Sequence, residues 1–295
     1  MLLKNIGKVK ILTAGALSCA LVAGTGSAAL AGPGQSNLNE SEVKAMEHAI
    51  TQSLPTGKLA ENSGLSSGAV SKDSPNQINL DGASLSIPLD SNSKHGTLSD
   101  DSLVVSGDST DYMFRETEDG AQVLFKIDSP KSSHEKTFTI SGDKELVSSE
   151  ALGADSGEVF VKNSDGSMHS SFDAPWAYDA NGNSVPTHFE VSGNKLTQVV
   201  EPTSETAYPI VSDPDWGKIG MCAGTIAGNA ALYIVPGGIV GKLLTKTKSI
   251  RKAAEILVRT LKAKSYNDKL KALRSLAFGL GADLTGIGAI AKACG

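Results

Sequence analysis

A chain of 295 residues with a formal charge of −5, three cysteines and 5% aromatic residues is long enough for more than one compact unit. The acidic balance, with no aromatic-rich basic strand pattern, weighs against a nucleic-acid partner. The balance is uneven, however. Trp216–Gly295 carries thirteen basic and three acidic residues, whereas Pro33–Asp215 carries eleven basic and twenty-nine acidic ones. Two oppositely charged parts in one chain point to a basic part that meets an anionic surface.

The N-terminus has the three-part layout of a secretory signal peptide over residues 1–31. Lys4, Lys8 and Lys10 precede the uncharged run Ile11–Gly24 and then a small-residue stretch, Thr25–Gly32. Ala29-Leu30-Ala31 is the expected cleavage site, with Ala31 the last residue removed, and the product is secreted. An uncleaved membrane anchor and a lipoprotein form on Cys19 are the alternatives. Removal leaves Cys222 and Cys294, and an even pair in an exported chain reads as a disulfide. Such a bridge would close a loop of about 70 residues and stabilise the basic part by roughly 4 kcal/mol.

Residues 32–77 hold one short helix and a linker. Val43, Met46, Ala49, Ile50 and Leu54 recur at helical spacing over Ser41–Leu54, with Ser41 as the expected N-cap. Pro55–Gln77 is rich in Ser, Gly and Asn and reads as connecting chain.

From 78 to 211 the period changes to two. Short apolar alternations (Leu85–Leu89, Leu103–Val105, Gln122–Ile127, Lys136–Ile140, Glu158–Val161, His188–Val191, Lys195–Val200, Tyr208–Val211) are separated by turn residues such as Asp119-Gly120, Asn181-Gly182 and Ser192-Gly193-Asn194. This pattern predicts an acidic antiparallel sandwich or open barrel. Residues 212–218 read as an exposed junction, and Asp213, Asp215 and Trp216 as a place for maturation by a protease.

Residues 219–295 have no strand character. Ile219–Gly241 is uncharged and Gly/Ala-rich, broken by Pro236-Gly237-Gly238. Ile250–Lys264 sets Ile250, Ala253, Ala254, Leu257 and Leu261 on one face, and Ser265–Leu280 does the same with Leu270, Leu273, Ala277 and Leu280. Leu284–Ala293 returns to a nearly uncharged run. The fold class is therefore α+β in separate domains, an antiparallel β-sandwich followed by a small Gly/Ala-rich bundle of four short helices. Lys242, Lys246, Lys248, Arg251, Lys252, Arg259, Lys262, Lys264, Lys269, Lys271 and Arg274 are the candidate contacts to an anionic membrane or envelope.

Catalytic patterns do not emerge. The five histidines are scattered, and G-x-S-x-G, P-loop and H-E-x-x-H motifs do not occur. His169-Ser170 with Asp173, the acidic loop residues Asp111, Glu116, Glu118 and Asp119, and the pair Trp176/Tyr178 are chance neighbours, a solvated turn and a core cap respectively. The alternatives are a triad fragment, a weak calcium site and a sugar-stacking site. No cofactor is implied, and the expectation is a non-enzyme.

Ala207-Tyr-Pro-Ile-Val-Ser-Asp-Pro214, preceded by Leu196-Thr-Gln-Val-Val200, resembles a junction in secreted proteins of actinobacteria and other Gram-positive bacteria. In these a signal peptide and a β-rich domain precede a variable C-terminal module. The resemblance implies export and a domain boundary. The C-terminal module in turn is similar in composition and layout to helical bacteriocins. Together these lead to the expectation of a secreted antimicrobial precursor whose cationic module is restrained by the acidic β domain. The alternative is a non-enzymatic envelope-binding or adhesion protein in which the β domain recognises the target.

Overall fold

The computed structural model describes residues 37–295 apart from 65–67, 91, 98–101, 108, 236, 263–264 and 294–295. The expected signal peptide, with Cys19 and Ala31, lies outside the described residues, as do Lys264 and Cys294.

Helix α1 spans Glu40–Thr51. Its N-cap is Asn39, which accepts from the Glu42 backbone at 3.0 Å while Glu42 Oε2 accepts from the Asn39 backbone at 2.8 Å. This reciprocal capping box places the start before Ser41, the expected cap, because Asn39 has a Glu three residues on. Val43 and Ile50, two turns apart, are the buried side of the helix.

Two antiparallel sheets follow. The smaller has the order β1 (Gln77–Leu80), β2 (Ala83–Ser86), β7 (Glu135–Ser141), β13 (Lys195–Val200) and β12 (Thr187–Ser192). The larger runs β3 (Lys94–Thr97), β4 (Leu103–Ser106), β5 (Asp111–Glu116), β6 (Gly120–Ile127), β15 (Asp215–Lys218), β10 (Met168–Phe172), β9 (Val159–Asn163) and β8 (Lys144–Ser148). Off that path, β14 (Ile210–Ser212) pairs with β6, and β11 (Ala177–Tyr178) pairs with β14. Leu85, Phe138 and Leu196 of the small sheet share one apolar core with Val105, Phe114, Phe125, Phe172 and Trp216 of the large one.

Strand alternation sends the other side chains of the large sheet to its outer face. At one end, Val104, Met113, Leu124 and Val211 meet Val43 and Ile50 of α1. At the other, Phe160 and Met168 meet the C-terminal helices, while Val159 and Val161, the neighbours of Phe160, point into the sandwich. The large sheet is thus covered on both faces, which is why β6 reads as a nearly continuous buried run.

The expected exposed junction at 212–218 is instead the middle of this sheet. β14 and β15 lie consecutively along β6, pairing Ser212 with Phe125 and Asp215 with Gln122. Pro214, which has no N–H to give, sits at the break between them and accepts from the Val123 backbone at 2.9 Å. Ser212, Asp213 and Trp216 are buried. The β part therefore ends at Lys218 and not at Val211.

The helical part comprises α2 (Met221–Gly228), α3 (Ala230–Tyr233), α4 (Ile239–Thr247), α5 (Ile250–Thr260), α6 (Tyr266–Leu280) and α7 (Ile287–Ala293). Six helices stand where four were expected, because the uncharged segment, expected to break at Pro236-Gly237-Gly238, is divided earlier as well, with Asn229 at the junction of α2 and α3 and a further break after Tyr233. Among the described residues no helix is long and apolar enough to cross a membrane. α2 lies on β10, α5 packs on α2, and α6 packs on α4, α5 and α7. Leu152, Ala154, Phe160 and Met168 of the β part belong to the same apolar cluster as the helices. Residues 35–295 accordingly form one compact unit.

Candidate functional site

Three features stand out: a polar latch between sheet and helices, an enclosed carboxyl pair beneath it, and the outer surface of the helices.

The latch is built on Glu158, just before β9. Ser249 caps α5, its Oγ accepting from the Lys252 backbone at 3.0 Å. The same hydroxyl donates to Glu158 Oε1 at 2.6 Å. The backbone N–H groups of Ile250 and Arg251 donate to Glu158 Oε2 and Oε1 at 2.5 and 3.2 Å, and Ser156 Oγ adds a fourth bond at 2.8 Å. Helix N-terminal donors have no intrahelical acceptor, and the helix dipole favours an anion there. A carboxylate from the sheet thus takes the position an anion would. Burial pushes the Glu158 carboxyl above its ordinary range, although these four bonds act the other way.

Arg251, on the first turn of the same helix, reaches three carboxylates. Its guanidinium is 3.4 Å from Asp119, 3.5 Å from Asp173 and 3.1 Å from Glu255. Its side chain is only 14% exposed. Expected as a contact to an anionic surface, Arg251 is instead committed to the sheet and to its own helix.

Beneath Arg251 a cleft of about 460 Å³ is lined by the 60–63 segment, Asp119, Asp173, Asp215 and Trp216. Asp213 is buried and its Oδ1 accepts from the Trp176 backbone at 3.0 Å. Burial, followed by the neighbouring Asp215, raises the Asp213 carboxyl well above its usual value. Asp215 is pushed up to about 6 by burial and then by the charge of Asp173. Asp215 Oδ1 is enclosed and has no hydrogen-bond partner among the described residues. Both residues, expected at a protease-accessible junction, sit where a protease cannot reach them in the folded chain.

The remaining cations face outward. Lys242, Lys246, Lys248, Lys252, Arg259, Lys262, Lys271 and Arg274 are exposed, and among the described residues none forms an ion pair. Lys269 is half-buried and has a partner. The large apolar side chains that are exposed among the described residues all lie in the same part of the chain: Met221, Leu232, Tyr266, Phe278 and Leu284. Phe278 is 91% exposed. On α6 it follows Lys271 by seven residues and Arg274 by four, so the three share one face. On the adjoining side of the helix Leu273 and Ala277 are buried. Cys222, at the start of α2, is not a free thiol, and the partner expected for it is outside the described residues.

The minor candidates resolve into structural roles. His169 Nδ1 is 2.9 Å from Ser170 Oγ, but that hydroxyl is buried and accepts from Trp216 Nε1 at 2.8 Å. Asp173 belongs to Arg251. Asp111 pairs with Lys126 at 2.8 Å, Glu116 is buried and accepts from the Val70 backbone, and Asp119 faces Arg251. The acidic loop residues are therefore dispersed among separate partners. Lys58 Nζ lies 5.4 and 5.5 Å from the ring centres of Trp176 and Tyr178, a cation–π contact to both rings.

Against known proteins, no family model matches this chain and no curated protein does. Among solved structures it is similar to a family GH92 alpha-mannosidase from Bacteroides thetaiotaomicron, at 10% identity and a TM-score of 0.23 over 63% of this chain and 28% of that one. The same enzyme in complex with mannoimidazole gives 8%, 0.22, 60% and 25%. The chain thus spans about a quarter of the enzyme's length, and a likeness of this size carries no functional argument.

Proposed function

We propose that this protein is a secreted antimicrobial precursor whose cationic helical part acts on anionic membranes or envelopes of other bacteria, held in check by the β part. The observation that carries the reading is the coincidence, on one set of helices, of exposed cations that form no ion pair among the described residues with the exposed large apolar side chains. Lysine and arginine draw such a surface to anionic lipid, at about 1 kcal/mol each near the membrane, and apolar side chains then enter the interface.

The restraint differs from a simple masking of charge. Contacts with the sheet engage Arg251 and leave Lys242, Lys246, Lys248, Lys252, Arg259, Lys262, Lys271 and Arg274 in solvent. What the β part covers is the apolar face of α2 and the first turn of α5. Release then means unpacking those faces. The exposed residues just beyond the last strand, Gly220 and Met221, are where a maturation protease would cut, in place of Asp213–Trp216. A Cys222–Cys294 bridge would hold the helices together after such a cut.

A second reading has its own support. Because residues 35–295 form one compact unit, an adhesion protein that keeps its helices permanently and recognises the envelope through the sandwich is consistent with the architecture. Leakage of anionic vesicles decides between them. The antimicrobial reading expects salt-sensitive leakage that falls at least tenfold when Lys262, Lys271 and Arg274 are replaced by Gln. The adhesion reading expects wall binding without leakage and no response to those replacements.

A further inference from the structure

The outer helix carries a more specific arrangement than its net charge. α6 lies on α4, α5 and α7, whereas α2 is the helix seated on β10. The exposed side of α6 is therefore presented by the chain with its β part still attached. Along that side Lys271, Arg274 and Phe278 succeed one another at helical spacing, and each is exposed. Around Phe278 the surface is bare of bulk. Gly279 and Gly281 follow it, and a methyl group added at either would meet nothing within 4 Å. Leu284, six residues further on, is also exposed. The acids nearest in sequence are Asp268, in the first turn of α6 and bonded to Ser265 at 2.6 Å, and Asp283, which accepts from the Thr285 backbone at 2.9 Å.

We propose that the Lys271–Arg274–Phe278 face of α6 is a docking surface for an anionic phospholipid bilayer, used by the intact chain before any release of the helices. The inference rests on the membrane-active reading and adds to it where first contact is made. Phe278 enters below the phosphate layer while Lys271 and Arg274, on long flexible stems, stay at the level of the phosphates. Charge selects this occupant over a second copy of the chain. Two such faces brought together would oppose like charges across a small apolar contact, which disfavours self-association. A bilayer supplies both the negative charge and the apolar layer beneath it.

The test uses the full secreted chain, oxidised, with Phe278→Trp as a reporter; the two native tryptophans provide the background spectrum. Mixed with vesicles containing phosphatidylglycerol, the introduced indole shifts its fluorescence to the blue and is quenched by brominated acyl chains. With pure phosphatidylcholine it does neither. Phe278→Ser weakens vesicle binding about tenfold, as expected from burying one aromatic side chain, and Lys271→Gln with Arg274→Gln removes most of the salt dependence. Leu232→Ser is the control. It removes another exposed apolar side chain from α3, whose neighbour Ala231 lies against Gly153 of the β part, and lowers binding less than Phe278→Ser does.

Three results would overturn the proposal: binding with the reporter indole still in water, unchanged affinity in Phe278→Ser, or a blue shift that depends on protein concentration without vesicles and so reports a dimer. Failure here is separable from failure of the functional reading. Leakage while the reporter stays in water keeps the antimicrobial activity and rejects this face. Docking through the reporter with no leakage at any salt keeps the face and rejects the activity.

Discussion

Glu158 and Ser249, ninety-one residues apart in the chain, are joined by a 2.6 Å bond between Oε1 and Oγ, and through it the sandwich caps a helix of the C-terminal part. Glu158→Ala leaves the Ser249 hydroxyl and two N–H groups of α5 without their acceptor. The expected loss is about 1–3 kcal/mol, read as a lower denaturant midpoint. Cleavage of residues 219–295 by added protease should accelerate with it, since α5 loses its hold on β9.

The carboxyls beneath the latch give a pH dependence of definite sign. Asp213 and Asp215 have folded-state values above the ordinary carboxylate range, with Asp215 at about 6. The folded chain therefore holds their protons more tightly than the unfolded chain does. The stability that Asp215 contributes is complete below about pH 4 and is lost as pH rises through about 6, and the contribution of Asp213 has the same sign. Asp215→Asn removes its share of that slope, on the order of 3 kcal/mol. The variant should melt higher than the parent at pH 7 and close to it at pH 4. Equal melting shifts at both pH values would show that Asp215 titrates normally.

Close backbone approach yields a third expectation. Gly120 pairs with Gly217 in the β6–β15 ladder, and a Cβ there would overlap the Trp216 carbonyl oxygen and lie 2.8 Å from the Gly217 Cα. Gly120→Ala must separate the two strands at the centre of the large sheet. A loss of roughly 1–3 kcal/mol is expected, the cost of overpacking a well-filled interior, measured by chemical denaturation.

The Cys222–Cys294 bridge is tested by reduction. If the two cysteines pair, Cys222→Ser costs about 4 kcal/mol on the loop-entropy model and melts at one temperature with or without reductant. The parent should lose the same increment only when reduced. A parent indifferent to reductant would rule out a stabilising bridge.

Much of this architecture could be read in advance, for reasons tied to period. β7, β12 and β13 announce themselves by alternation, and the α5 stripe Ile250, Ala253, Ala254, Leu257 and Leu261 is buried as spaced. Asp215–Lys218 did not read as a strand because four residues containing Asp, Gly and Lys have neither length nor apolar period. Its place is set by β6 and β10 on either side. Glu158 looked like the head of a strand, since nothing local shows that its partner is a helix N-terminus far along the chain. Asp213 and Asp215 looked solvated for the same reason. Phe278 was visible in principle. It stands off the stripe formed by Leu270, Leu273, Ala277 and Leu280, and an aromatic residue out of phase with its helix is a surface signal that the charge count concealed.

The most direct measurement compares the parent with Glu158→Ala in salt-dependent dye release from phosphatidylglycerol vesicles. If the sheet restrains a membrane-active set of helices, the latch variant releases dye several-fold faster at low salt, and both proteins fall silent at high salt. Equal rates in the two proteins, or release from neutral vesicles undiminished by salt, would contradict that account.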